Sequence, residues 1–303
     1  MTTVLVTGAG GPAGRALGAQ LAQLRESEPD LIAIGADMLP IADASFALTT
    51  TLPRVDAPEY AVALRDLVGR VRADVVIPTV AEELALVAGL ADLLGDGVAG
   101  PDVVVTSTTS AAICADKLYT MWALDAAGVS VPRFAPGGSC PSAAGALAHF
   151  DGAVIAKPRV SRGGRGVRLV EDAAAPWGID DSWILQSFAP GTEYSPQVYR
   201  SPRTGAVTVV VLEKTEMREG RIGNAVSTVR LDADEAADVA WLAESAVVAL
   251  DLSGPVDLDI RRDEDGLPVV LEVNARFGAN SASAPELLRS VLRDLGRAEL
   301  ATS

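Results

Sequence analysis

The chain has 303 residues, long for one hydrophobic core and in keeping with two or three domains. It is 49% hydrophobic, poor in aromatics and carries a net charge of −15, which disfavours nucleic acid or an anionic membrane as main partner, because neutralising phosphate needs basic surface. No charged-then-apolar leader follows Met1, no apolar run approaches membrane-spanning length, and Cys114 and Cys140 lack metal-like spacing, so a cytoplasmic protein with reduced thiols is expected.

From residue 1 to about 110 strand and helix alternate, which predicts a small parallel α/β unit. Strands are expected at Val4–Thr7, Leu31–Gly35, Val75–Pro78 and Val103–Thr106. Ala16, Leu17, Gln20, Leu21 and Leu24 recur at helical spacing, and further helices are expected near 58–72 and 82–94. The loop Thr7–Gly14 has the TGxxGxxG spacing of short-chain dehydrogenase-like proteins, and Asp37 after the second strand resembles their ribose-binding acid. Those enzymes also need a Tyr with a Lys four residues later, and Tyr60, Tyr119, Tyr194 and Tyr199 all lack one. A tight turn that lets a helix pack closely on a strand is the alternative. Glu82 and Glu83 could recognise an amine at a cleft, although a helix N-terminus favours acids on its own account.

A helix from Asp116 to Ala127 is expected to bury Leu118, Met121 and Trp122, and Gly128 ends it. Ala135–Ser142 reads as a loop. Antiparallel strands then follow at Ala153–Lys157, Val167–Val170, Trp183–Ser187, Val207–Leu212 and Ala225–Val229. Between the first two lies a glycine loop with Ser161, Gly163, Gly164 and Gly166, bearing Lys157, Arg159, Arg162 and Arg165. Its glycines allow close backbone approach to an anion, while a solvent-exposed basic tip is the plainer reading. In Trp183–Ser195, Glu193 could accept both hydroxyls of a ribose, and the backbone of Gln186, Ser187 and Phe188 could offer the amide pattern of an adenine edge. The lone histidine, His149, argues against a His-rich metal site or a Ser-His triad.

After an amphipathic helix carrying Val239, Leu242, Ala246, Val247 and Leu250, residues 254–276 alternate apolar and polar about an Asp265-Gly266 turn signal. A turn at Asp263–Gly266 would set Asp257 opposite Glu272, on one face with Asp259 and Asn274. Like charges across a sheet destabilise it unless a cation lies between them. An oxygen-only cluster beside Arg276 therefore points to Mg²⁺ and a phosphate. A closing helix is expected beyond Gly278.

Asp116-Lys117, Lys157-Pro158 with the Gly163-Gly164 flap, Gly191-Thr-Glu-Tyr-Ser195, Gly254–Asp259 and Glu272–Arg276, in this order, resemble the ATP-grasp superfamily of ligases. The likeness is to one synthetase half of the carbamoyl-phosphate synthetase large subunit. It implies a pre-ATP-grasp α/β domain (1–112), a small subdomain with the flap (113–187) and a C-terminal subdomain with the metal site (188–303), the last two forming an α+β fold of antiparallel sheets. By the same resemblance, ATP would meet Lys117, Lys157, Ser161, Gly163, Gly164 and Gly166. Gln186, Ser187 and Phe188 would line the adenine and Glu193 the ribose. Asp259, Glu272 and Asn274 would ligate Mg²⁺, with two ions expected. Arg276 and Lys214 would face the transferred phosphoryl group. Ala275 stands where the family usually has Pro, and Asp257 remains an alternative to Asp259. The implied activity is ADP-forming carboxylate–amine ligation through an acyl phosphate. The alternatives are bicarbonate phosphorylation and a non-catalytic nucleotide-binding module. Partners would be small-molecule carboxylates and amines, with a homodimer allowed for.

Overall fold

The computed structural model describes residues 1–94, 100–161, 163–219 and 221–297, with the backbone alone at 217–219 and 222–225. It opens with β1 (Thr2–Thr7), α1 (Pro12–Leu24), β2 (Leu31–Asp37), β3 (Leu48–Thr51), α2 (Tyr60–Val71), β4 (Val75–Ile77), α3 (Leu84–Leu90) and β5 (Asp102–Val103). These strands form an all-parallel sheet in the order β3-β2-β1-β4-β5. The short apolar strands β1, β2 and β4, largely buried on both faces, suit this arrangement. At the β1–α1 turn Gly8 has φ +60°, and a Cβ on Gly14 would collide with the Gly8 carbonyl, so these glycines let the helix close onto the strand.

Two helices, α4 (Thr108–Ala115) and α5 (Lys117–Ala126), lead to a four-stranded antiparallel sheet. That sheet comprises β6 (Phe134–Pro136), β7 (Val154–Pro158), β8 (Arg168–Val170) and β9 (Trp183–Ser187), ordered β6-β9-β7-β8 and covered by α6 (Ala143–Phe150). The Asp116 carboxylate caps α5 by accepting from Leu118 N (2.9 Å), which starts the helix at Lys117. Leu118, Met121 and Leu124 enter the core, whereas Trp122 is 49% exposed and stacks on Tyr119, against the expectation of burial. One helical step from Met121 turns its ring away from the core.

The remaining strands are β10 (Glu193–Tyr194), β11 (Gln197–Arg200), β12 (Val207–Val210), β13 (Leu212–Glu219) and β14 (Ile222–Arg230), then, after α7 (Ala237–Ala249), β15 (Gly254–Arg262) and β16 (Pro268–Asn274). Helix α8 (Pro285–Asp294) closes the described chain. The expected 207–212 strand is thus two strands, broken at Val211, and β5 ends at Val103 rather than Thr106. In the seven-stranded sheet β15 pairs with β11 through Gly254–Asp257, with β10 through Ile260 and Arg261, and with β16 along its other edge. Helices α5 and α7 share one core with this sheet. A second core joins Val4, Leu17 and Leu21 of the N-terminal unit to Leu212, Phe277 and Leu288, so the parallel sheet is packed firmly on the C-terminal part. Among the described residues no helix is long and apolar enough to cross a membrane.

Candidate active site

The β15–β16 hairpin places four polar side chains on one face, but in a register other than the expected one. Asp257 pairs with Asn274 and Asp259 with Glu272. The turn is one residue longer than expected, so that Arg262 pairs with Pro268, and a one-residue bulge at Leu271 shifts the rest. These two offsets preserve the alternation and bring Asp259 directly opposite Glu272. The bulge also aims the Leu271 carbonyl at the neighbouring sheet, where it accepts from Lys157 Nζ at 3.1 Å and Gln186 Nε2 at 3.4 Å.

Cations face this acidic wall from three elements. Lys117, at the capped start of α5, donates to the Ser161 carbonyl at 2.8 Å and lies 3.4 Å from Glu272. Lys157, on β7, is buried, and burial lowers its pKa while Glu272 works against that shift. Lys214, on β13, lies 2.6 Å from both Glu193 and Asp259. Burial pulls its pKa down, but the two carboxylates outweigh burial and raise it, so the ammonium stays charged. Asp259 is held below the usual carboxylate range: burial opposes this, and Lys214 overcomes it.

Arg276 donates to Asn274 Oδ1 at 3.1 Å and to the Phe277 carbonyl at 2.9 Å, and lies 3.5 Å from Asp257 Oδ2. Asp257 is enclosed: its Oδ1 accepts from Ser195 Oγ at 3.0 Å and Gln197 Nε2 at 2.5 Å. Burial raises its pKa, and the charge of Asp259 adds to the rise. Of the two aspartates, Asp259 therefore faces the lysines while Asp257 is committed to Arg276, Ser195 and Gln197. Asp259, Glu272 and Asn274 supply oxygen donors only, the two acids already met by ammonium groups and the amide by the Arg276 guanidinium, a set suited to a hard dication. Among the described residues no group of three or more His, Cys, Asp or Glu is placed so that it could hold a metal ion.

The flap Ser161–Gly166 turns through left-handed glycines, with φ +61°, +70° and +78° at Gly163, Gly164 and Gly166. Arg162 lies outside the described residues. Arg159 is not turned to the site: it holds Asp116 through contacts of 2.6–3.1 Å. Ser187 N and Phe188 N donate to the Arg133 and Ala153 carbonyls at 2.8 and 3.0 Å, so, contrary to expectation, the sheet itself uses these amides. Gln186 is buried beside Leu271, and the Phe188 ring is met by the guanidinium groups of Arg221 and Arg261, 4.4 and 5.0 Å from its centroid.

Arg261, Gln197 and Asn280 were not singled out from sequence. Gln197 could have been found by its alternation with Ser195, whereas Asn280, which donates to Ser195 Oγ at 3.1 Å, sits in irregular chain that has no period to read. Away from this site, Asp37 accepts from Gly10 N at 2.9 Å, tying the first glycine loop to β2. Glu83 is buried and accepts from Thr7 Oγ1, Val80 N and the Tyr60 hydroxyl, so it does not face a cleft.

Residues 114–280, more than half of the chain, match the ATP-grasp domain family. The chain is similar in fold to L-amino acid ligase from Bacillus licheniformis, at 18% identity and a TM-score of 0.68, over 93% of this chain and 69% of that one. N5-carboxyaminoimidazole ribonucleotide synthetase from Thermotoga maritima matches at 18% identity and a TM-score of 0.70, over 100% and 78%. Biotin carboxylase from Campylobacter jejuni, solved as a β,γ-ATP complex, matches at 16% and 0.72, over 99% and 72%. No curated protein matches the chain. At these identities the likeness is one of fold.

Proposed function

The chain belongs to the ATP-grasp family, and from that premise we propose that it is an ATP-dependent, ADP-forming carboxylate–amine ligase working through an acyl phosphate. The observation that carries this reading is the pairing of Asp259 with Glu272 on a wall faced by Lys117, Lys157 and Lys214 and flanked by Arg276. Few sites other than one for a metal-bound polyphosphate need so many opposed charges in so little space.

In this reading Lys117, Lys157 and the flap residues Ser161, Gly163, Gly164 and Gly166 hold the phosphates. Gln186, Ser187 and Phe188 flank the base, and Glu193 takes the ribose. Asp259, Glu272 and Asn274 would hold Mg²⁺, which when bound screens the phosphate oxygens and favours charge development on them. Arg276 and Lys214 stabilise the phosphoryl group in transfer. Phosphorylation of a carboxylate creates a leaving group, and attack by an amine then yields an amide, ADP and phosphate. Closure of the flap would keep water from the acyl phosphate. No side-chain nucleophile is needed.

Two fold relatives have carboxylase or carboxyaminoimidazole synthetase names, and bicarbonate as the phosphorylated acid is the second reading. The test is an ADP-release screen over acid and amine pairs, followed by ¹⁸O labelling of the carboxylate. Ligase activity requires both substrates and passes ¹⁸O into phosphate. Absence of label in phosphate with a competent pair would overturn the acyl-phosphate route, and ADP release with bicarbonate alone would favour the second reading.

A further inference from the structure

Lys214 has only 5% of its side chain exposed, and it stands between two acids assigned to different duties. Glu193 belongs to the expected ribose subsite and Asp259 to the expected metal subsite, yet one ammonium lies 2.6 Å from each. Neighbouring strands make this possible. Strand β10 lies between β13 and β15, so that Glu193 is paired to Arg261, two residues past Asp259, while Tyr194 is paired to Glu213, the residue before Lys214. Without a cation between them the two carboxylates would repel across the sheet. Glu272, the other acid of the wall, has a looser partner in Lys117 at 3.4 Å.

We propose that Lys214 is a built-in counter-cation that holds the metal and ribose carboxylates until the metal–nucleotide complex replaces it. This rests on the reading of the site given above. A divalent ion alone competes with an ammonium already bound to Asp259 and leaves that ammonium, buried, with Glu193 as its remaining carboxylate, which is costly. A metal–nucleotide complex supplies both replacements at once. Its metal takes Asp259, its ribose takes Glu193, and its phosphates receive the freed ammonium. The lysine-held state is a binding-incompetent population, so the apparent affinity for metal alone is reduced by the fraction of molecules that are competent. The register of β13 against β14 shifts between Lys214 and Glu216, a local irregularity next to the side chain that must move. Metal and nucleotide are therefore taken up together, and the coupling between them is set by Lys214.

The test titrates Mn²⁺ into the full chain, with and without a non-hydrolysable ATP analogue, and follows the free-ion EPR signal. In the wild type the analogue should tighten Mn²⁺ by more than about tenfold, whereas Lys214→Met should bind Mn²⁺ alone about tenfold more tightly than wild type and lose most of that coupling. Thermal melts give a second readout. Lys214→Met should melt below wild type in EDTA and recover with Mn²⁺ alone, whereas wild type should hardly respond. Equal Mn²⁺ binding by the two proteins, or a Lys214→Met defect that Mn²⁺ does not repair, would show a permanent structural ion pair and overturn the proposal. Should the variant not fold, wild type decides: Mn²⁺ bound as tightly alone as with the analogue overturns it equally. Failure of wild type to bind the analogue under any condition would instead remove the ATP reading, and this proposal with it.

Discussion

Asp257 and Arg276 face each other at 3.5 Å, and the far side of the Asp257 carboxylate is closed by Ser195 and Gln197. The aspartate therefore acts as an anchor for the guanidinium, which in turn holds Asn274. Replacing Asp257 with Asn keeps an oxygen for Ser195 and Gln197 but turns an amide toward Arg276. Turnover should fall about ten- to a hundredfold, the range for groups that orient a site without entering it, with Mn²⁺ binding in the presence of nucleotide unchanged. A parallel loss of Mn²⁺ binding would make Asp257 a ligand.

Gly278 lies against the same carboxylate, and a Cβ there would collide with Asp257. Gly278→Ala should cost roughly 1–3 kcal/mol in urea denaturation, as overpacking of a buried site does, and should lower turnover with it. Unchanged stability would mean that the 276–281 loop yields without moving Asp257.

Glu272→Gln keeps the volume and the β15–β16 pairing but removes the charge facing both Asp259 and Lys117. ADP release should drop below detection while the circular dichroism spectrum is retained. Activity within a few-fold of wild type, roughly what a lost surface charge would give, would mean that the metal site lies elsewhere.

Burial raises the carboxyl of Glu83 above its ordinary 4.5, although Thr7, Tyr60 and the Val80 amide donate to it and oppose the shift. Folded protein thus holds this proton more firmly than unfolded chain does. The contribution to stability is fully present below pH 4.5 and is lost as pH rises through the higher, folded value. Glu83→Gln should remove that slope. Its melting temperature should gain on wild type as pH is raised above 4.5, with no difference in the pattern at lower pH. A constant offset at every pH would show that the Glu83 carboxyl has the same pKa in folded protein and unfolded chain.

Much of the site was legible in sequence because its elements are locally periodic. Alternation alone assigned Asp257, Asp259, Glu272 and Asn274 to one face, and the helical pattern from Asp116 onward set Lys117 at the start of α5. What periodicity lacks is register, since a turn one residue longer and a bulge at Leu271 exchange the partners of Asp257 and Asp259 without altering which way any side chain points. That the amides of Ser187 and Phe188 are taken up by the sheet was hidden for a related reason: whether an amide is free depends on which carbonyls, here those of Arg133 and Ala153, come alongside.

The sequence by itself determined the family, the order of a parallel α/β unit before antiparallel sheets, and the residue types that line the site. Tertiary structure alone decided that Lys214 stands between Glu193 and Asp259 and that Asp257 serves Arg276. Local preference acts over a few residues and fixes faces. Contacts among strands β10, β13 and β15, drawn from distant parts of the chain, exist only once the sheet has chosen its order, and that choice is made by the burial of whole faces rather than by any one segment.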